Sequence, residues 1–190
     1  MRMLEIKVFD VNKALIKRVA VDEKLFNRYV REKKDLSTRW YRRIFGHLFY
    51  YLEGSAEKTV SVTDRGGTAR TIHVVDSDFG QLFQGCTYGY GPKIAIGSGT
   101  TPPSIDDYTL ESLISIAIAS FQLNEDMGIV TISASFTPSE DITINEVGLF
   151  IRMTDGAGHW FEVLVDRTVL DTSIQVSAGQ TATVAYKIAL

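Results

Sequence analysis

The chain has 190 residues, 45% of them hydrophobic, and a formal net charge of −3, which suits one folded unit with an appendage, or two small units, and permits a sizeable core. Its single cysteine, Cys86, excludes an internal disulfide framework and a cysteine-based zinc site. The charge is uneven: residues 1–50 hold 13 Lys/Arg against 6 Asp/Glu, while residues 51–190 hold 7 against 17, so the basic end of one copy can meet the acidic end of another or a different acidic partner.

Met1-Arg2-Met3-Leu4-Glu5 lacks the basic segment and apolar run of a secretory signal, and no apolar stretch reaches the roughly 18 residues of a membrane helix. Synthesis in the cytoplasm and no membrane partner are the expectation. Leu4, Ile6 and Val8, then Leu15, Ile16, Val19 and Val21, alternate roughly with polar residues as one or two short strands would. Leu25, Phe26, Tyr29 and Val30 fall at helical spacing behind Asp22 and Glu23, which favours a helix over 22–34.

Ser37 or Thr38 can cap a second helix that Gly54 stops. Trp40, Ile44, Leu48 and Tyr51 form one of its rows, and Tyr41, Phe45, Phe49 and Leu52 an adjacent one, with Arg39, Arg42 and Arg43 at its basic beginning. This face is either a core helix with solvated arginines or, since Trp, Tyr, Phe and Arg are enriched at interface centres, an assembly surface centred on Arg39, Trp40, Tyr41, Arg42, Arg43, Phe45 and Phe49. The strand-like runs 58–62 and 69–75 flank Asp64-Arg65-Gly66-Gly67, predicting a β-hairpin. Residues 76–91 lose periodicity and carry Phe79, Phe83, Tyr88 and Tyr90 among glycines, a candidate surface-binding loop or arm.

Lys93-Ile94-Ala95-Ile96 leads into Gly97-Ser98-Gly99 and then Pro102-Pro103, where a strand ends and an extended connection begins. After 108–118 come four strand-like stretches, 129–136, 142–150, 159–165 and 181–188, separated by turn chemistry. Such spacing indicates an antiparallel sandwich. The fold class expected is therefore mainly β with an N-terminal α-helical portion. An antiparallel β-sandwich, jelly-roll or Ig-like, would occupy 92–190, and a helical and hairpin docking region 1–91.

The phrases Lys93-Ile94-Ala95-Ile96-Gly97-Ser98-Gly99-Thr100-Thr101-Pro102-Pro103, Asp106-Asp107-Tyr108-Thr109-Leu110-Glu111 and Ile144-Asn145-Glu146-Val147-Gly148-Leu149 resemble β-sandwich virion proteins of tailed bacterial and archaeal viruses. Asp166-Arg167-Thr168-Val169 and the run from Gly179 to Ile188 fit the same pattern. The resemblance covers about residues 92–190. It implies a non-enzymatic structural protein of a tail, neck, baseplate, fibre or head decoration, located in the virion. Its partners would be copies of itself, as a homo-oligomer, and other virion proteins, or alternatively a glycan or host surface.

Independently of that resemblance, Gly148 permits a bulge or close backbone approach, and Glu146 can pair with Arg167 or stand apart from it as a solvated charge. No catalytic residues, cofactor or metal site are expected. Gly97-Ser98-Gly99-Thr100-Thr101 lacks the lysine and following helix of a phosphate loop. Asp76-Ser77-Asp78 and Asp106-Asp107 supply too few ligands for calcium and read as solvated turns. His47, His73 and His159 are far apart. Glu23, Glu32 and Asp35 interrupt the basic run 13–43, so direct nucleic-acid binding is not expected either.

Overall fold

The computed structural model describes residues 2–21, 59–73, 91–124, 129–155 and 157–189. Within them the chain forms antiparallel strands, numbered along the sequence. A five-stranded sheet has the order β2 (Leu15–Val21), β1 (Arg2–Phe9), β11 (Thr181–Ala189), β8 (Ile129–Phe136) and β7 (Ser120–Asn124). A four-stranded sheet has the order β10 (Trp160–Val176), β9 (Ile142–Thr154), β5 (Lys93–Gly97) and β6 (Leu113–Ile118). The strands β3 (Thr59–Thr63) and β4 (Ala69–His73) pair as a separate hairpin.

Alternation of side chains decides which face each strand buries. Leu4, Ile6 and Val8 of β1, Ile132 and Phe136 of β8 and Val184 and Tyr186 of β11 meet Ile94, Ile96, Val147, Leu149 and Ile151 of the opposite sheet in one core. Val62 and Ile72 carry the hairpin into the same cluster. The outer face of the five-stranded sheet is polar, with hydroxyl pairs such as Ser120–Ser133 at 2.9 Å and Ser135–Thr183 at 2.9 Å. One face dry and one wet is the pattern expected of a half-buried antiparallel sheet.

Three hairpin turns share one chemistry. Asp10, Asp64 and Asp155 each accept from the backbone N–H groups two and four residues on, at 2.8 to 3.2 Å. The residue three positions on is left-handed each time: Lys13 at φ 64°, Gly67 at φ 81° and Gly158 at φ 90°. A short aspartate side chain closes the turn from inside, and glycine is favoured where φ is positive.

The structure departs from the sequence reading in two places. The sandwich does not begin at residue 92: β1 pairs with β11 from Arg2↔Ile188 to Phe9↔Thr181, so strands from the expected docking region complete the five-stranded sheet. Composition can mark a charge boundary, but backbone pairing over the whole chain length ignores it. Secondly, β10 continues to Val176 instead of ending near 165. No helix occurs among the described residues, and the two expected helices, over 22–34 and from the Ser37 or Thr38 cap to Gly54, lie outside them.

Candidate binding face

The outer face of the four-stranded sheet holds two groups of charged side chains, separated by an apolar patch. Along β9 the residues Glu146, Gly148, Phe150 and Arg152 point away from the main core, since Val147, Leu149, Ile151 and Met153 point into it. On β10 an unpaired residue, Val165, lies between the Leu164↔Phe150 and Asp166↔Leu149 pairs. This bulge shifts the alternation by one and puts Arg167 opposite Gly148 on the outer face.

At one end of the face Glu146 and Arg167 are 0% and 3% exposed. Arg167 Nε donates to Glu146 Oε2 at 2.7 Å, Nη1 donates to Asp107 Oδ2 at 2.9 Å, and Nη2 donates to the Thr101 carbonyl at 3.2 Å. Glu111 Oε2 lies 3.5 Å from Nη2. Glu146 also accepts from the backbone N–H groups of Gly99 (3.1 Å), Ser112 (2.8 Å) and Glu111 (3.1 Å). One cation thus serves three carboxylates, and backbone donors supply the remaining demand. Burial opposes the charge on Arg167, but hydrogen bonds and charge from Glu146 and Asp107 outweigh it and hold the guanidinium above its ordinary pKa. Hydrogen bonds from the Thr101 hydroxyl and N–H hold Glu111 below the usual carboxylate value.

This cluster clamps residues 98–112 across the sheet. Gly97 and Gly99 keep ordinary backbone angles; they are needed for space, because a Cβ on either would stand 2.6 or 2.5 Å from Glu146 Oε1. Beneath the same segment Leu110 packs with Ala95, Phe150 and Leu164 in a second small core. Gly148 leaves room for it, since a Cβ there would lie 2.9 Å from Leu110 Cδ2. Asp107, expected in a solvated turn, accepts from Arg167 and from Ser104 N–H at 2.8 Å.

At the other end of the face a groove of about 630 Å³ opens between the turn of the β3–β4 hairpin and the paired ends of β9 and β10. Arg65 N–H donates to the Glu162 carbonyl at 2.8 Å, fixing the hairpin tip to β10. Glu162 lies between two cations, Arg65 Nε at 2.6 Å from Oε2 and Lys93 against Oε1. Arg70 Nε donates to Asp64 Oδ2 at 2.8 Å. Burial alone would raise Asp64, but Arg70 and the N–H groups of Thr68 and Gly66 outweigh it and hold the carboxyl below its usual value. Arg152 lies over the Trp160 ring at 4.7 Å, and Arg70 lies 5.6 Å from the Phe161 centroid.

The structure therefore brings Glu146 and Arg167 together. The candidate interface Arg39, Trp40, Tyr41, Arg42, Arg43, Phe45 and Phe49, and the candidate loop residues Phe79, Phe83, Tyr88 and Tyr90, lie outside the described residues. Sequence pattern alone does not nominate the groove. Its one signal is that Arg152 and Trp160 flank the Asp155 turn, which a hairpin sets side by side. No family model, curated protein or solved structure matches the chain.

Proposed function

We propose that the protein is a non-enzymatic structural subunit that works by assembling with copies of itself. Edge strand β6 carries this reading. Its sequence, Leu-Ile-Ser-Ile-Ala-Ile, contains no charge and no proline, and Leu113, Ile114 and Ile118 are 41%, 37% and 50% exposed. Edge strands of solitary proteins are usually blunted by charge, proline or cover. An edge of the other sheet, β2, contains by contrast Lys17 and Arg18.

The partner proposed is a second copy pairing β6 with β6 antiparallel across a two-fold axis. Uncharged apolar strands are self-complementary, as an isologous contact requires, and the pairing extends a four-stranded sheet into one of eight. The tailed-virus setting, in which the protein would be a component of the tail, neck, baseplate or head decoration, is supported by the sequence phrases within 92–190 alone. Light scattering after size exclusion tests the assembly. The native chain should be a dimer or larger, and Ile114→Lys with Ile118→Lys should yield a folded monomer. A native chain that stays monomeric at high concentration overturns the reading.

A further inference from the structure

The geometry points to residues 98–112 as an acid-released strap: protonation of its fastening carboxylates lifts it from the four-stranded sheet and uncovers an apolar face while the sandwich stays folded. This inference is independent of assembly through β6. It rests on how differently the strap and the sheets are held. The strap contains no strand, and among the described residues its polar attachments centre on two side chains. Glu146 of β9 accepts from the N–H groups of Gly99, Glu111 and Ser112, and Arg167 of β10 reaches Asp107, Glu111 and the Thr101 carbonyl. A neutral bond joins them, from Asn145 Nδ2 to the Ser98 carbonyl at 2.9 Å.

Underneath, Leu110 is the apolar anchor, set against Ala95, Phe150, Leu164 and the half-buried Ile116. Ala95, Phe150 and Leu164 are at most 1% exposed with the strap in place. The sandwich itself is held by other means, backbone ladders such as those of β1, β11 and β8 and an apolar core between the sheets. Elements fastened so differently open separately, the weaker one first.

The charged groups at the strap are its own Asp106, Asp107 and Glu111, with Glu146 of β9 and Arg167 of β10. On the hairpin side the Tyr108 ring comes next to Gly67, in the turn that carries Asp64 and Arg65. In their ionised forms the strap carboxylates and Glu146 compensate the guanidinium. Once they take up protons Arg167 stays charged and buried without its anions, and lifting the strap returns it to water. Glu111 gives the same sign. Hydrogen bonds from the Thr101 hydroxyl and N–H hold it below its usual value, so a strap that opens and loses them takes up the proton first, and acid favours opening.

The test is amide hydrogen exchange of the ¹⁵N-labelled full chain between pH 7 and pH 3, corrected for the intrinsic pH dependence of exchange, with circular dichroism and the fluorescence of a neutral apolar dye, Nile red, over the same range. Near pH 4, in the ordinary carboxylate range, the amides of Gly99, Glu111 and Ser112 should exchange as in an open chain while those of Val184 and Tyr186 in β11 stay protected at least about a hundredfold. Dye fluorescence should rise there with the circular dichroism unchanged. Leu110→Ala should lower the protection of the three strap amides at pH 7 about a hundredfold, as loss of a buried leucine implies. Complete loss of protection at strap and β11 amides together, strap amides still protected at pH 3, release with a flat dye signal, or indifference of the strap to Leu110→Ala would each overturn the inference.

Discussion

The two ends of one sheet face are opposite solutions to the same problem of placing arginine beside carboxylate. In the clamp one arginine stands among Glu146, Asp107 and Glu111, buried, with the surplus negative charge absorbed by backbone N–H donors. In the groove Arg65, Arg70, Lys93 and Arg152 stand with Asp64 and Glu162 among the described residues, open to solvent. A buried ion pair whose carboxylate oxygens both accept, as those of Glu146 do beside Arg167, has a single geometry and serves architecture. An open cluster keeps its charges in contact with solvent, where each pair is worth less. The difference teaches that perturbing the first should cost much stability and perturbing the second little.

Breaking the clamp should have the largest effect. Arg167→Met keeps most of the side-chain volume but leaves Glu146 buried without its cation, a loss of about 3–5 kcal/mol in urea unfolding. In many buried pairs, replacing both partners restores stability. Here it should not: Glu146→Leu with Arg167→Met would orphan the N–H groups of Gly99, Ser112 and Glu111, each costing about 1–3 kcal/mol if left buried and unpaired. A double variant as stable as the native chain would show that the clamp is a simple ion pair.

Gly99→Ala tests the same network from its steric side. The added Cβ would meet Glu146 Oε1 at 2.5 Å and Glu111 Cβ at 2.6 Å, both held by their own bonds. Overpacking of this kind costs about 1–3 kcal/mol, measurable as a lowered denaturation midpoint. An unchanged midpoint would mean that residues 98–112 ride on the sheet without being fastened to it.

The contrast between the two ends was only half visible in the residues themselves. Strands such as β8 and β11 are legible because their apolar residues alternate against serine and threonine. The full length of β10 is not, since Asp166-Arg167-Thr168 has the composition of a turn, yet all three are buried in the strand. Their polar atoms find partners far away in sequence, Arg167 with Asp107 for example, and no local pattern encodes that. The same holds for Gly97 and Gly99, which look like a flexible corner and instead make way for a carboxylate from β9. The groove was hidden for a related reason: its cations come from β4, β5, β9 and the β3–β4 turn, each unremarkable in its own stretch.

Acid should act on both ends, more gently than any of these substitutions. Glu111 in the clamp and Asp64 at the groove are both held below their ordinary values of 4.5 and 3.8. The unfolded chain therefore takes up protons first as pH falls. Their contribution is complete above the ordinary carboxylate range and is lost as pH drops through it toward the lower folded values. The thermal midpoint should hold steady from neutrality to about pH 5 and decline below it. Glu111→Gln should lower the midpoint at neutral pH, with its curve converging on the native one in acid, because the substituted side chain has no charge left to lose. Asp64→Asn should behave alike, since Asn can still close the turn through its carbonyl oxygen but cannot bind Arg70 as an ion. Parallel curves, separated equally at pH 7 and pH 3, would instead assign the loss to shape and leave charge without a part in either end of the face.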